Sequence, residues 1–140
     1  MSMYAVIDTN VIIAALLSKK SDTATVKIIK AIADGRIVPL VHETILAEYE
    51  DVLHREKFHL HENTVQTVLQ AIRYYGKMTQ AKPTAEVFVD TDDLIFYEVA
   101  IAQKEHNAYL VTGNQRHYPS SDFIVTPAQM MEILEKQDLS

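Results

Sequence analysis

The sequence predicts an α/β fold, a three-layer α/β/α sandwich around a central, mostly parallel sheet of four to five strands. Two observations carry this reading. Short apolar, β-prone runs alternate with stretches of helical periodicity from one end of the chain to the other, the order expected of a parallel sheet with helices on both faces. Of the 140 residues, 48% are hydrophobic, enough for one core. No internal repeat, low-complexity tract or linker divides the chain. One domain over 1–140 is therefore expected, with its core at about 4–134 and a short tail at 135–140.

The elements follow in order. Tyr4-Ala5-Val6-Ile7 reads as a buried strand, and Asp8-Thr9-Asn10 supplies residues that favour helix N-caps before an aliphatic helix at 11–17. A second helix is expected at 22–34, with Val26, Ile28, Ile29, Ile32 and Ala33 on one side and Gly35 where a C′ glycine belongs. The run at 37–41 is a second strand in which Pro39 suits an end or an edge. Ile45, Leu46, Tyr49, Val52 and Leu53 give 43–54 the spacing of an amphipathic helix. Further expectations are a helix at 63–75 ending near Gly76, a linker at 81–85, a third strand at 87–89 and an apolar helix at 92–104. A fourth strand at 109–111 and a fifth at 123–125 complete the sheet, and Thr126-Pro127 opens the last helix in N-cap/N1 order.

Composition excludes several functions. The net charge of −6 rules out a protein that coats nucleic acid by bulk charge, so any nucleic acid must be held by a local patch. With no cysteine there is no disulfide, thiol nucleophile or Cys-based metal site. The longest aliphatic run, 11–17, is too short for a bilayer span of ~20 residues and follows an acid, so a cytoplasmic protein without membrane association is expected.

In open α/β sheets the working crevice lies beyond the carboxyl ends of the strands. Strand one delivers Asp8 there, strand three Asp90, Asp92 and Asp93, and strand four Thr112-Gly113-Asn114. Glu48 lies on the edge of the apolar stripe of its helix. Oxygen donors converging in this way suit a hard divalent cation, which would relieve the repulsion among the acids. Each residue also has a plainer reading. Asp8 can be a helix cap, Asp90 to Asp93 a cap with first-turn charge, Glu48 a solvated acid, and Asn114 a turn residue. His54, His59 and His61 are too irregularly spaced for a zinc pair. His117 is nearer the crevice, either as a structural residue or as a phosphate contact. Tyr74-Tyr75 and Phe96-Tyr97 read as core or interface.

The stretches Val6 to Val11, Glu48 to Leu53, Asp90 to Phe96 and Val111 to Asn114 resemble, in order, the motifs of PIN-domain proteins, over almost the whole chain from Tyr4 to about Leu134. The nearest group is the VapC-type toxin components of bacterial and archaeal toxin–antitoxin pairs. The resemblance implies a ribonuclease dependent on Mg²⁺ or Mn²⁺, with Asp8, Glu48 and Asp93 binding the metal and Asn114 completing the catalytic set. Asn114 departs from the Asp common at that position. Asn10, Asp90, Asp92 and Thr112 would support the set, Thr112 by positioning water. Lys19, Lys20 and Arg116, with Arg55 and Lys57, are candidates for flanking RNA phosphates. The implied partners are an RNA substrate and an antitoxin that lays an arginine-bearing segment over the acids. A homodimer or higher oligomer is left open.

Three other phosphate-handling or nucleotide-binding classes fit poorly. A receiver-like domain needs paired acids after strand one and Lys before the last Pro, where this chain has Asp8-Thr9 and Thr126-Pro127. A haloacid-dehalogenase-like phosphatase needs Asp where Asn10 stands, and a dinucleotide-binding enzyme needs a glycine-rich first turn that is missing. The serious alternative is a catalytically weak or inactive PIN fold that binds RNA or protein.

Overall fold

The computed structural model describes residues 2–86, 88 and 90–139. Five parallel strands form one sheet: β1 (Met3–Ile7), β2 (Ile37–Val41), β3 (Lys77–Met78), β4 (Tyr109–Val111) and β5 (Ile124–Val125). Their spatial order is β3-β2-β1-β4-β5. The chain therefore builds outward from β1 in one direction, returns, and builds outward in the other. This makes the gap between the carboxyl ends of β1 and β4 a topological switch point, where ligands bind in open sheets. Consecutive residues Ala5, Val6 and Ile7 are all buried. Successive side chains of a strand point to opposite faces, so both faces of the sheet are covered.

Among the described residues six α-helices do the covering: α1 (Thr9–Leu17), α2 (Ala24–Ala33), α3 (Glu43–Leu53), α4 (Glu62–Tyr75), α5 (Leu94–Ala102) and α6 (Pro127–Asp138). Their ends follow local chemistry. Gly35 has φ 78°, and a Schellman pair closes α2, with Gly35 N donating to the Ile32 carbonyl and Arg36 N to that of Ala31. At α6, Thr126 and Gln129 form a reciprocal capping box with Pro127 in the first turn. No helix among the described residues is long and apolar enough to cross a membrane.

Three sequence expectations change. The edge strand beside β2 is the residue pair Lys77–Met78, just after α4. Of the run expected as a third strand, Phe88 is not in a strand, and Val87 and Val89 lie outside the described residues. The second strand is interior, yet β3 pairs only with Leu40 and Val41, so Pro39, which has no N–H, sits just outside that pairing. Phe96 and Tyr97 are core, whereas Tyr74 is 81% exposed and packs edge-on against Tyr75. Gly76 is required by close approach, since a Cβ there would press on the carbonyl oxygens of Ile72 and Pro39.

Candidate active site

Asp8 stands at the carboxyl end of β1 in the N-cap position of α1, but its side chain makes no capping bond. Its Oδ2 accepts two hydroxyl hydrogen bonds instead, from Thr112 Oγ1 at 2.7 Å and from Tyr118 at 3.0 Å. Oδ1 has no hydrogen-bond partner among the described residues. With 6% of the residue exposed, Asp8 is held from behind by the protein's own donors. The simple cap reading of Asp8 does not hold.

Two contacts join the strand ends that frame it. Asp8 N donates to the Val111 carbonyl of β4 at 2.9 Å, and Gly113 N donates to Asn10 Oδ1 at 3.1 Å. Thr112 is fully buried, its hydroxyl donating to Asp8 and accepting from Asn114 N at 3.0 Å. Its hydroxyl is thus engaged by Asp8 and Asn114 N. Burial and the Asp8 charge hold the Tyr118 hydroxyl far above the usual tyrosine range, so it stays protonated and donates.

Asp93 arrives by a different route from the one expected. It closes a short 3-10 turn, Thr91–Asp93, that leads into α5. The cap of that turn is Asp90, whose Oδ1 accepts from Asp92 N at 2.9 Å, so the plain cap reading holds for Asp90. Asp93 occupies the N-cap position of α5 without capping it. Its Oδ2 is buried, and among the described residues its one close polar neighbour is the His117 imidazole, with Nδ1 at 3.4 Å; the Asp93 side chain is 13% exposed. Burial first, then the charges of Asp8 and Asp90, push the Asp93 carboxyl up to about 6, with His117 partly opposing the rise.

Glu48 sits on α3, pinned by its neighbour Tyr49, whose buried hydroxyl donates to the carbonyl of Ile7, one residue before Asp8. Burial and the charges of Asp92, Asp51 and Asp90 raise the Glu48 carboxyl, while Arg55 opposes them. A cleft of about 550 Å³ collects Glu48, Asp90, Asp93, Asn114 and His117 on its polar side, with Arg55 beside Glu48 and Ile13, Leu17, Val52 and Phe58 on its apolar side. Thr9 and Asn10 also line it, and Thr9 Oγ1 is buried without a hydrogen-bond partner. Asp8 is not among the lining residues.

The three acids are thus not one cage. Among the described residues no group of three Asp, Glu or His side chains is arranged to hold a metal ion. The Asp8 charge raises the Asp93 carboxyl, whereas the Glu48 carboxyl is raised first by burial and then by the Asp92 charge. Asp8, just past β1, stays outside the cleft lining, while Asp93, just before α5, and Glu48, on α3, line the same cleft. Among the residues proposed to flank RNA, Lys19 and Lys20 are exposed after α1 and do not line the cleft. Arg116 lines an adjoining depression with Asn114 and His117. Arg55 lines the cleft itself, and Lys57 lies over the Phe58 ring.

A family model described as PIN domain matches residues 4–116. The chain belongs to the PIN-domain family. PIN domains are typically nucleases and generally use divalent metal ions. A comparison with curated proteins gives no match. The donors of this PIN domain suit such an ion even though they are not a three-acid cage. Mg²⁺ is commonly held by one or two carboxylates and keeps several waters. Asp8 Oδ1, the buried Asp93 Oδ2 and the Thr9 hydroxyl, which has no hydrogen-bond partner among the described residues, are oxygens of the right hardness, and a cation would relieve the repulsion between the two acids.

Sequence reasoning missed Tyr118, Tyr49 and Thr9. A tyrosine seven residues past the end of a strand and another inside an apolar helical stripe carry no sequence signal for a polar task. Thr9 was legible only as part of the Asp-Thr-Asn run.

Proposed function

We propose that this PIN domain is a Mg²⁺- or Mn²⁺-dependent endoribonuclease and the toxin half of a toxin–antitoxin pair. The supporting observation is that Asp8 and Asp93, both in N-cap positions, make no side-chain capping bond, while the Asp8 charge helps to raise the buried Asp93 carboxyl. That arrangement stabilises neither helix and serves a cation.

Asp8 and Asp93 would hold the ion, which supplies charge stabilisation at the scissile phosphate and lowers the pKa of a bound water. The protein's own residues do the rest. Glu48, with its carboxyl raised, is suited to accept a proton from the attacking water as oxygen bonds to phosphorus and the leaving oxygen departs. Asn114, in the cleft wall, offers an amide to orient that water. Arg55 stands where a flanking phosphate would pass, which answers how a chain of net charge −6 holds RNA. The same acids would receive an arginine-bearing antitoxin segment.

One observation favours a catalytically silent binding module instead: Asn114 brings no charge to a site where, among the described residues, no three acidic or histidine side chains are arranged to hold a metal ion. Incubation of purified protein with single-stranded RNA separates the readings. The expected result is cleavage with Mn²⁺ or Mg²⁺, loss in EDTA, and a fall of roughly a hundredfold or more in Asp8→Asn. Undiminished cleavage by Asp8→Asn overturns the site. RNA binding without cleavage under any divalent ion favours the module.

A further inference from the structure

We propose that Tyr118, acting with Thr112, fixes Asp8 as a one-oxygen ligand and so sets the cation preference of the site, favouring small octahedral ions over Ca²⁺. This rests on the metal-dependent reading above and goes beyond it by assigning a positioning residue and a selectivity.

Both hydroxyls donate to the same atom, Asp8 Oδ2, at 2.7 and 3.0 Å. A carboxylate oxygen has two in-plane lone pairs, so two donors saturate Oδ2 and leave Oδ1 as the free oxygen. The donors come from separate elements. Thr112 follows β4 directly, while Tyr118 follows the 3-10 turn Gln115–His117 and is held edge-on to Phe88 with ring centres 5.8 Å apart. Thr112 and Tyr118 are both buried, so neither hydroxyl has bulk water to turn to. Rotating Asp8 to offer both oxygens would strand two buried donors, which is costly.

Cation chemistry then discriminates. Ca²⁺ takes six to eight oxygens at roughly 2.3–2.6 Å and often uses both oxygens of one carboxylate, whereas Mg²⁺ demands a near-ideal octahedron at roughly 2.0–2.1 Å. Mn²⁺ shares the preference for oxygen octahedra. A carboxylate locked to one free oxygen suits the octahedron and denies Ca²⁺ a chelating ligand. Tyr118 touches neither substrate nor the cation in this scheme. It acts through Asp8.

The test is isothermal titration of the metal-free protein with Mn²⁺ and, separately, with Ca²⁺, for wild type and Tyr118→Phe. The wild type is expected to bind Mn²⁺ the more tightly. Tyr118→Phe is expected to lose roughly tenfold of the Mn²⁺/Ca²⁺ affinity ratio, the usual scale for removing a partner of a metal ligand. Damage to packing alone would weaken both ions together and leave the ratio unchanged, and an unchanged ratio overturns the proposal. If the wild type binds neither ion, the metal-dependent reading fails and the proposal falls with it. If Tyr118→Phe does not fold in EDTA by circular dichroism, Thr112→Val removes the other donor to the same oxygen. It should shift the ratio likewise, with Thr112→Ser restoring it, and failure of both shifts counts against the lock.

Discussion

Replacing Asp93 by Asn in metal-free protein should stabilise the fold, and the size of the gain should depend on pH in a calculable way. Asn keeps the shape of the side chain and removes the charge. In the folded protein the Asp93 carboxyl is pushed up to about 6 from its ordinary value of 3.8, mostly by burial and by the Asp8 charge. That gap corresponds to ~3 kcal/mol at 1.36 kcal/mol per pH unit, an upper limit because water enters the open cleft and the side chain relaxes. We expect roughly 1–2 kcal/mol, or ~3–6 °C in Tm for a domain of this size, near pH 7.5 in EDTA. The sign follows from proton binding. Between 3.8 and about 6 the folded state binds more protons at Asp93 than the unfolded state, so wild-type stability falls as pH rises through that window. The penalty is fully present above about 6, and roughly half of it is already relieved at about pH 5, so the advantage of the Asp93→Asn protein should shrink by about half there. Differential scanning calorimetry at the two pH values reads both quantities. Excess Mg²⁺ should reverse the order, since binding to wild type at a hundredfold over Kd stabilises it by about 2.7 kcal/mol. A Tm that drops by several degrees in EDTA with the native spectrum intact would refute the reasoning, as would a gain that does not shrink at the lower pH.

Three further outcomes are expected. Tyr49→Phe leaves the Ile7 carbonyl without its hydroxyl donor and should cost roughly 1–3 kcal/mol in urea unfolding, whereas no loss would mean that the carbonyl finds another partner. Gly76→Ala forces a Cβ against two backbone oxygens that cannot swing away, and should lower stability by roughly 1–3 kcal/mol in the same assay. In an Asp8→Asn background, where RNA is not cut, Arg55→Ala should weaken RNA binding and reduce the slope of log affinity against log salt by about 0.7, the single-strand value for one phosphate contact. Lys19→Ala, outside the cleft, should leave that slope unchanged.

Much of the fold was legible because its signals are local. Gly35 after α2 and Thr126-Pro127 before α6 sit where backbone chemistry puts such residues, and both behave as expected. The edge strand was not legible. Lys77–Met78 is polar on one side, only two residues long, and a strand only because Leu40 and Val41 offer it hydrogen bonds. The acids were legible as candidates but not as a constellation. Asp8, Asp90 and Asp93 all read as caps, and only hydrogen-bond partners separate Asp90, which caps, from the other two, which do not.

The sequence alone determined that a parallel α/β sheet forms and that its first strand ends on an acid, because hydrophobic period and turn chemistry act over a few residues. Tertiary structure decided which of those acids share a field. Strand order brings Asp8 and Thr112 together across a hundred residues of chain, a turn after β4 swings Tyr118 onto Asp8, and packing of α3 brings Glu48 into one cleft with Asp93. Coulomb and hydrogen-bond energies depend on distance in space, and over such separations distance in space is set by packing, not by position along the chain.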